Sequence, residues 1–285
     1  MNTDDFGQCT SVNEAVFELL EGHYVSSATI MPCAPGFDEA ASWCIRNNID
    51  NVGLHLTFTS EWANMKSRSL THGASIEDAS GYLYASCEEF AAHAKKEEVL
   101  REIKAQFDKC VNYGLKLSHA DNHMGSLYGF FGECYLPAVF EFCAAYGGLP
   151  FRFFRNYYKD DFLLGPLDSP EMLATFKAIT DLADRLGVLT PDYLLTHNYE
   201  PEPGETYESF KAMLIGRIYN LPEGISETYI HPSKETEEIK YINPTWQKRV
   251  NEYRLMKDED YRYALKDAGV RQITYRDIAG IRGGE

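Results

Sequence analysis

Hydrophobic positions along this chain switch repeatedly between a strand-like and a helix-like period. In "SVNEAVFELLEG" (11–22), Ala15, Leu19 and Leu20 share one helical face, and Ser11 with Glu14 has capping-box spacing. "YVSSATIMP" (24–32) reads as a strand, "GFDEAASWCIRNN" (36–48) as a helix, and "NVGLHLTF" (51–58) as a strand that is apolar on both sides of His55. A loop from about 59 to 80 follows, long enough to suggest a functional excursion. Residues 86–113 carry one or two helices that stop at Gly114. The alternation then resumes. Strands are expected at 115–119, 149–154, 192–197, 226–232 and 270–276, and helices at 133–146, 169–186, 205–219 and 244–267.

Repeated β-then-α units predict a parallel sheet covered by helices. The fold class is therefore α/β: a distorted or incomplete (β/α) TIM-like barrel first, an open doubly wound sheet second. No repeat, low-complexity tract or linker interrupts residues 1–285, so a single domain is expected. In both architectures functional side chains gather at the carboxyl ends of strands.

Composition narrows the function classes. Apolar residues make up 44% of the 285, enough for a substantial core. A net charge of −16 (43 acidic against 27 basic residues) leaves no basic stripe to neutralise phosphates, which argues against a nucleic-acid partner. Apolar runs fall far short of a membrane span and no charged-then-apolar leader precedes Asp4, so no membrane partner and a cytoplasmic location are expected. The seven cysteines are an odd set without a C-x-x-C pair, which suits small buried hydrophobes better than a disulfide framework or a zinc-thiolate site.

Four expected strand ends carry candidate chemistry: "DDFG" (4–7), "GLHL" (53–56), "SHADNHMG" (118–125) and "YIHP" (229–232). Adjacent carboxylates repel unless a cation lies between them or one is protonated. Gly7 lets the chain turn sharply after the pair. Carboxylates with imidazoles suit a borderline divalent metal. Singly, each group has a bland explanation. His55 alone would be a satisfied core histidine, and His197 looks like a hydrogen-bonded structural one. His119 and His123 have the i, i+4 spacing of a helical metal pair, but the segment lacks a helix signal, so only one of the two need reach a metal. His231 precedes Pro232, which fits a strand end. His23, His72 and His93 read as solvated. Jointly, the series is hard to attribute to chance.

Taken together, these segments resemble the YdjC-like (ChbG-type) carbohydrate deacetylases, relatives of the polysaccharide deacetylases. "NTDDFG" resembles their N-A-D-D-F-G opening, "GLHL" their G-[LM]-H-[LF], "SHADNH" their H-x-D-x-H and "IHP" their carboxyl-terminal H-P, in the same order along nearly the whole chain. The resemblance implies that Asp5, His55 and His123 bind a divalent metal, Mg or Zn first and Mn or Co as alternatives. It implies Asp4 as general base, His231 as general acid, and Arg152 in "PFRFF" against the base, with His119 and Asp121 in or near the surrounding shell. The implied substrate is an N-acetylated mono- or oligosaccharide, and the implied assembly a homodimer, for which no surface stripe in the sequence speaks. Two departures stand out. Only Met1, Asn2 and Thr3 precede the aspartates where members have a full apolar strand, so the first strand is expected to be shortened. The H-x-D-x-H segment continues as "MGSLYGFFGECY", without the further histidines of many relatives, which points to a different pocket mouth.

Aromatic faces for a sugar ring could come from Trp62 and from Phe130, Phe131 and Tyr135, although the latter three fit helix packing equally well. A rival reading is a catalytically impaired, carbohydrate-binding barrel; the presence of Asp4 and His231 speaks against it. Another is a metal-dependent sugar isomerase or aldolase, which would want more carboxylate ligands or a strand-end lysine. A phosphatase with an aspartate nucleophile would want D-x-D.

Overall fold

Small and β-branched residues form six short strands in the computed structural model, which describes residues 1–282. The strands are β1 (Asn2–Phe6), β2 (Ser27–Ile30), β3 (Val52–Leu56), β4 (Ala120–Asn122), β5 (Tyr193–Leu195) and β6 (Ser226–Ile230). All pair in parallel, in the order β4-β3-β2-β1-β6-β5. Helices fill the connections, as parallel crossovers require. Residues 149–156 link the two edges of the sheet. Ala120 N–H donates to Pro150 O and Arg152 N–H to Ala120 O on one side, while Phe151 N–H donates to Leu189 O and Arg155 N–H to Asp192 O on the other. The sheet thus curls into an incomplete (β/α) barrel in which irregular backbone replaces one wall.

β1 is five residues long, as are β3 and β6, and it lies between β2 and β6 with every residue buried. Polar pairing inside the sheet stands in for an apolar run. Asn2 Nδ2 donates to Thr29 Oγ1 (3.1 Å) and Asp4 Oδ1 (2.9 Å), and Ser27 Oγ donates to Asn2 Oδ1 (2.6 Å). Successive strand residues normally face opposite sides of a sheet. Here Asp5 adopts φ +61°, a left-handed conformation costly for a non-glycine residue, and the register with β2 shifts between Thr3 and Phe6. The irregularity turns both aspartates toward one interior cluster.

Four expected elements differ. The strand placed at 115–119 is centred further on, at β4, because Ala120–Asn122 holds the paired register with Leu54–Leu56. The segment 149–154 makes a single bridge, Ala120 with Phe151, since its backbone divides its hydrogen bonds between two edges. Residues 270–276 are not a strand. Arg276 instead donates to Asp50 O and Lys116 O, and Tyr275 enters the barrel's amino-terminal end, where its ring stacks on His119 at 3.8 Å. The helix expected over 244–267 is two, Trp246–Lys257 and Glu259–Asp267, because the Asp258 carboxylate caps Asp260 N–H and Tyr261 N–H.

The long loop after β3 is tied down by carboxylates. Glu102 of helix Lys96–Tyr113 is fully buried and accepts Leu70 N–H (2.9 Å), Thr71 N–H (2.9 Å) and Thr71 Oγ1–H (2.7 Å). Glu98 takes Ser75 N–H and Glu77 takes Ser69 N–H, each at 2.8 Å. All seven cysteines are free. Among the described residues no helix is long and apolar enough to cross a membrane.

Candidate active site

Strand direction places Asp4 and Asp5 on β1, His55 on β3 and Asp121 on β4, with His123 opening the short turn His123–Gly125 and His231 following β6. All six are buried or nearly so. Three ligand atoms converge: His55 Nε2 lies 3.4 Å and His123 Nδ1 3.2 Å from Asp5 Oδ1. Asp5 Oδ1 and His55 Nε2 have no hydrogen-bond partner among the described residues. Orphaned buried polar atoms are expensive, and an anionic oxygen facing two imidazole nitrogens is a ligand set that a divalent cation satisfies. The residues fit a metal. A second acidic group, Asp4, His55 and Asp121, does not, because the Arg152 guanidinium already occupies the space between its two carboxylates.

Each ring and carboxylate of the first group is held from outside. Asp121 Oδ1 accepts from His55 Nδ1 at 2.6 Å, which turns Nε2 toward Asp5. Glu61 Oε2 accepts from His123 Nε2 at 3.0 Å, which turns Nδ1 the same way. Arg249 Nη2 donates to Asp5 Oδ2 at 2.7 Å and leaves only Oδ1 free. Burial works against charge on both rings, yet the nearby carboxylates prevail: Asp121 and Asp5 raise the His55 pKa, and Glu61 and Asp5 raise that of His123.

Asp4 is clamped by Arg152, whose Nη1 and Nη2 donate to Oδ2 (2.6 Å) and Oδ1 (2.7 Å). Burial alone would raise the Asp4 pKa, but the Arg152 charge and hydrogen bonds hold it well below the usual carboxylate range. Arg152 Nε reaches Glu227 (2.8 Å) and Nη2 reaches Asp121 (2.8 Å), so one guanidinium ties three strands. On the far side, His231 Nε2 lies 4.0 Å from Asp4 Oδ2. Its backbone N–H donates to Glu252 Oε2 at 2.7 Å, and Glu252 Oε1 accepts from His197 Nε2 at 2.7 Å. Burial lowers the His231 pKa.

Every residue singled out for the site thus lies in one cluster, except that His119 sits apart from the converging ligand atoms. Its Nδ1 pairs with Ser118 Oγ at 2.8 Å and its ring faces Tyr275, whose hydroxyl donates to Glu227. Among the aromatic residues, Phe130 (42% exposed) and Phe131 (54%) face solvent while Tyr135 (4%) is core. The Trp62 ring lies against the Arg249 guanidinium at 4.4 Å. Tyr199, exposed and edge-on to His231 at 5.2 Å, joins this set. Sequence reasoning missed Glu61, Glu227, Arg249, Glu252 and Tyr199. Glu61, five residues past β3, was within reach of the strand-end rule; Arg249 and Glu252, at i, i+3 on the inward side of a helix of weak amphipathicity, carried no such signal.

A family model for YdjC-like protein matches residues 1–267. The chain belongs to the YdjC-like family. This YdjC-like chain is 23% identical over 280 residues to a carbohydrate deacetylase of Listeria monocytogenes, covering 97% of the chain and 98% of that protein. It is 24% identical over 278 residues to one of Brevibacillus brevis, with 98% of each covered. A carbohydrate deacetylase of Thermus thermophilus is 36% identical over 86 residues, 30% of this chain and 32% of that one. The fold is similar to that of a solved Enterococcus faecalis protein named for cellobiose-phosphate cleavage, with a TM-score of 0.75, 23% identity, and 97% and 96% of the two chains covered.

Proposed function

We propose that this chain is a metal-dependent carbohydrate deacetylase that removes an N-acetyl group from an amino sugar or short oligosaccharide, working as one catalytic domain. The observation that carries the reading is the pair of unpartnered buried atoms, Asp5 Oδ1 and His55 Nε2, beside His123 Nδ1 and flanked by Asp4 and His231. Family membership and the names of full-length relatives support the reaction class.

Asp5, His55 and His123 would hold the divalent ion, which supplies a Lewis acid for the acetyl oxygen and a water of lowered pKa. Asp4, kept ionised by Arg152, would serve as the base that takes a proton from a water attacking the amide carbon. Asp121 and Glu61 keep the two rings from turning, and Arg249 keeps Asp5 from swinging. His231 on the opposite wall donates to the departing amine. Its lowered pKa makes it a willing donor, and Asp4, having taken the water's proton, is the neighbouring source that recharges it. Tyr199, Phe130 and Phe131 offer exposed aromatic faces to the sugar.

The test is acetate release from N-acetylglucosamine, diacetylchitobiose and longer chito-oligomers after chelation and after addition of Mg, Zn, Mn or Co. Release restored by metal and absent in Asp4→Asn supports the reading. Tight metal binding with no release from any of these sugars would replace the substrate. Sugar binding with neither metal binding nor release would leave a carbohydrate-binding barrel.

A further inference from the structure

Side chains on β6 alternate. Glu227, Tyr229 and His231 belong to the interior just described, whereas Ser226, Thr228 and Ile230 face the other side. Two of these outward positions are small and polar where a helix-covered strand would ordinarily carry branched apolar residues. Helices Tyr207–Ile218 and Glu259–Asp267 consequently stand over a pocket of about 100 Å³. Leu195, Leu214, Ile218, Tyr261 and Leu265 give it an apolar body.

Its polar groups are unsatisfied in a way that packing alone does not explain. His197, 2% exposed, forms part of the wall; its Nε2 is used by Glu252 and its Nδ1 has no partner among the described residues. Ser226, half-buried in the wall, has an Oγ without a partner among the described residues. Arg217 reaches the pocket from the helix and donates to Thr196 O, but makes no ion pair among the described residues. Burial lowers its pKa, against the pull of the Asp161 charge, which raises it. Arg271 stands exposed at the edge, likewise without an ion pair among the described residues. Two arginines without a direct ion pair among the described residues, on a chain of net charge −16, set positive charge beside an apolar cavity.

We propose that this pocket is a second ligand site, separate from the barrel interior, for a small amphipathic monoanion: an apolar body seated against Leu214 and Leu265, and an anionic head paired with Arg217 and Arg271. The proposal is independent of the deacetylase reading.

Octanoate and octan-1-ol, matched in apolar length, are the probes, and isothermal titration calorimetry on the full chain is the measurement. Octanoate is expected to bind one-to-one and octanol more weakly. Losing a charge-assisted contact in Arg217→Gln should weaken octanoate on the order of tenfold or more while leaving octanol unchanged. Arg271→Gln, at an exposed position that folding tolerates, should weaken octanoate in the same direction. Thr228→Phe, which fills the cavity, should abolish both. No octanoate binding to the unmodified chain, or equal binding to it, to Arg271→Gln and to Thr228→Phe, overturns the proposal.

Discussion

Replacing Arg152 by methionine tests the electrostatic frame of the site directly. The side chain is 4% exposed and its three nitrogens reach Asp4, Asp121 and Glu227 at 2.6–2.8 Å. One cation serves three carboxylates, so removing it leaves buried negative charge that only the His55 and His231 imidazoles remain to offset. Breaking a buried ion pair from one side costs about 3–5 kcal/mol. Against a total stability of about 5–15 kcal/mol the variant should fold, with a melting temperature lower on the order of 10 °C. The pH dependence has a definite sign. In the unmodified chain Asp4 has a depressed pKa, so its contribution is present above the unfolded carboxylate pKa and is lost as pH falls. In Arg152→Met burial is opposed only by the His55 and His231 imidazoles, the folded pKa rises, and the cost is relieved as pH falls. Urea denaturation of chelator-treated proteins at about pH 7 and about pH 4.5 should therefore show a gap that narrows in acid. A gap below about 1 kcal/mol at neutral pH, the size of a surface pair, would refute the reasoning. So would a gap of equal size at both values.

Other consequences follow from single contacts. Glu61→Ala should weaken metal binding by about 10–100-fold with little change in melting temperature, because only the His123 ring loses its anchor; competition against a chelating dye reads it, and unchanged affinity would mean the ring is held by something else. Gly53→Ala would set a Cβ 2.6 Å from the His119 ring and 2.7 Å from His119 O, with backbone unable to yield. A thermal melt should register a loss of about 1–3 kcal/mol, and a neutral result would show that His119 can move aside. Glu102→Ala should release the segment around Leu70 and Thr71, read as faster hydrogen exchange at those two amides with slow exchange kept in β3. Unchanged protection there would show that Glu98 and Glu77 suffice to hold the loop.

Periodicity and strand-end chemistry carried most of this protein. The order of strands and helices, the parallel barrel and the strand-end groups Asp4, Asp5, His55, His123 and His231 were legible because each depends on local pattern, and the barrel rule says where local pattern puts function; Arg152 came only from the family resemblance. Position along a strand was less legible. Residues 149–154 and 270–276 have strand-like composition, but whether such a segment pairs depends on which edges it meets. Only the tertiary structure decided how two adjacent aspartates serve one site: a left-handed residue inside β1 turns both the same way, and its strain is borne by pairing on either side. Glu61, Arg249 and Glu252 lie outside the motifs, 62, 244 and 21 residues away from the His123, Asp5 and His231 that they hold. Charge compensation acts through space across folded elements, and a one-dimensional pattern records the charges without recording which ones meet.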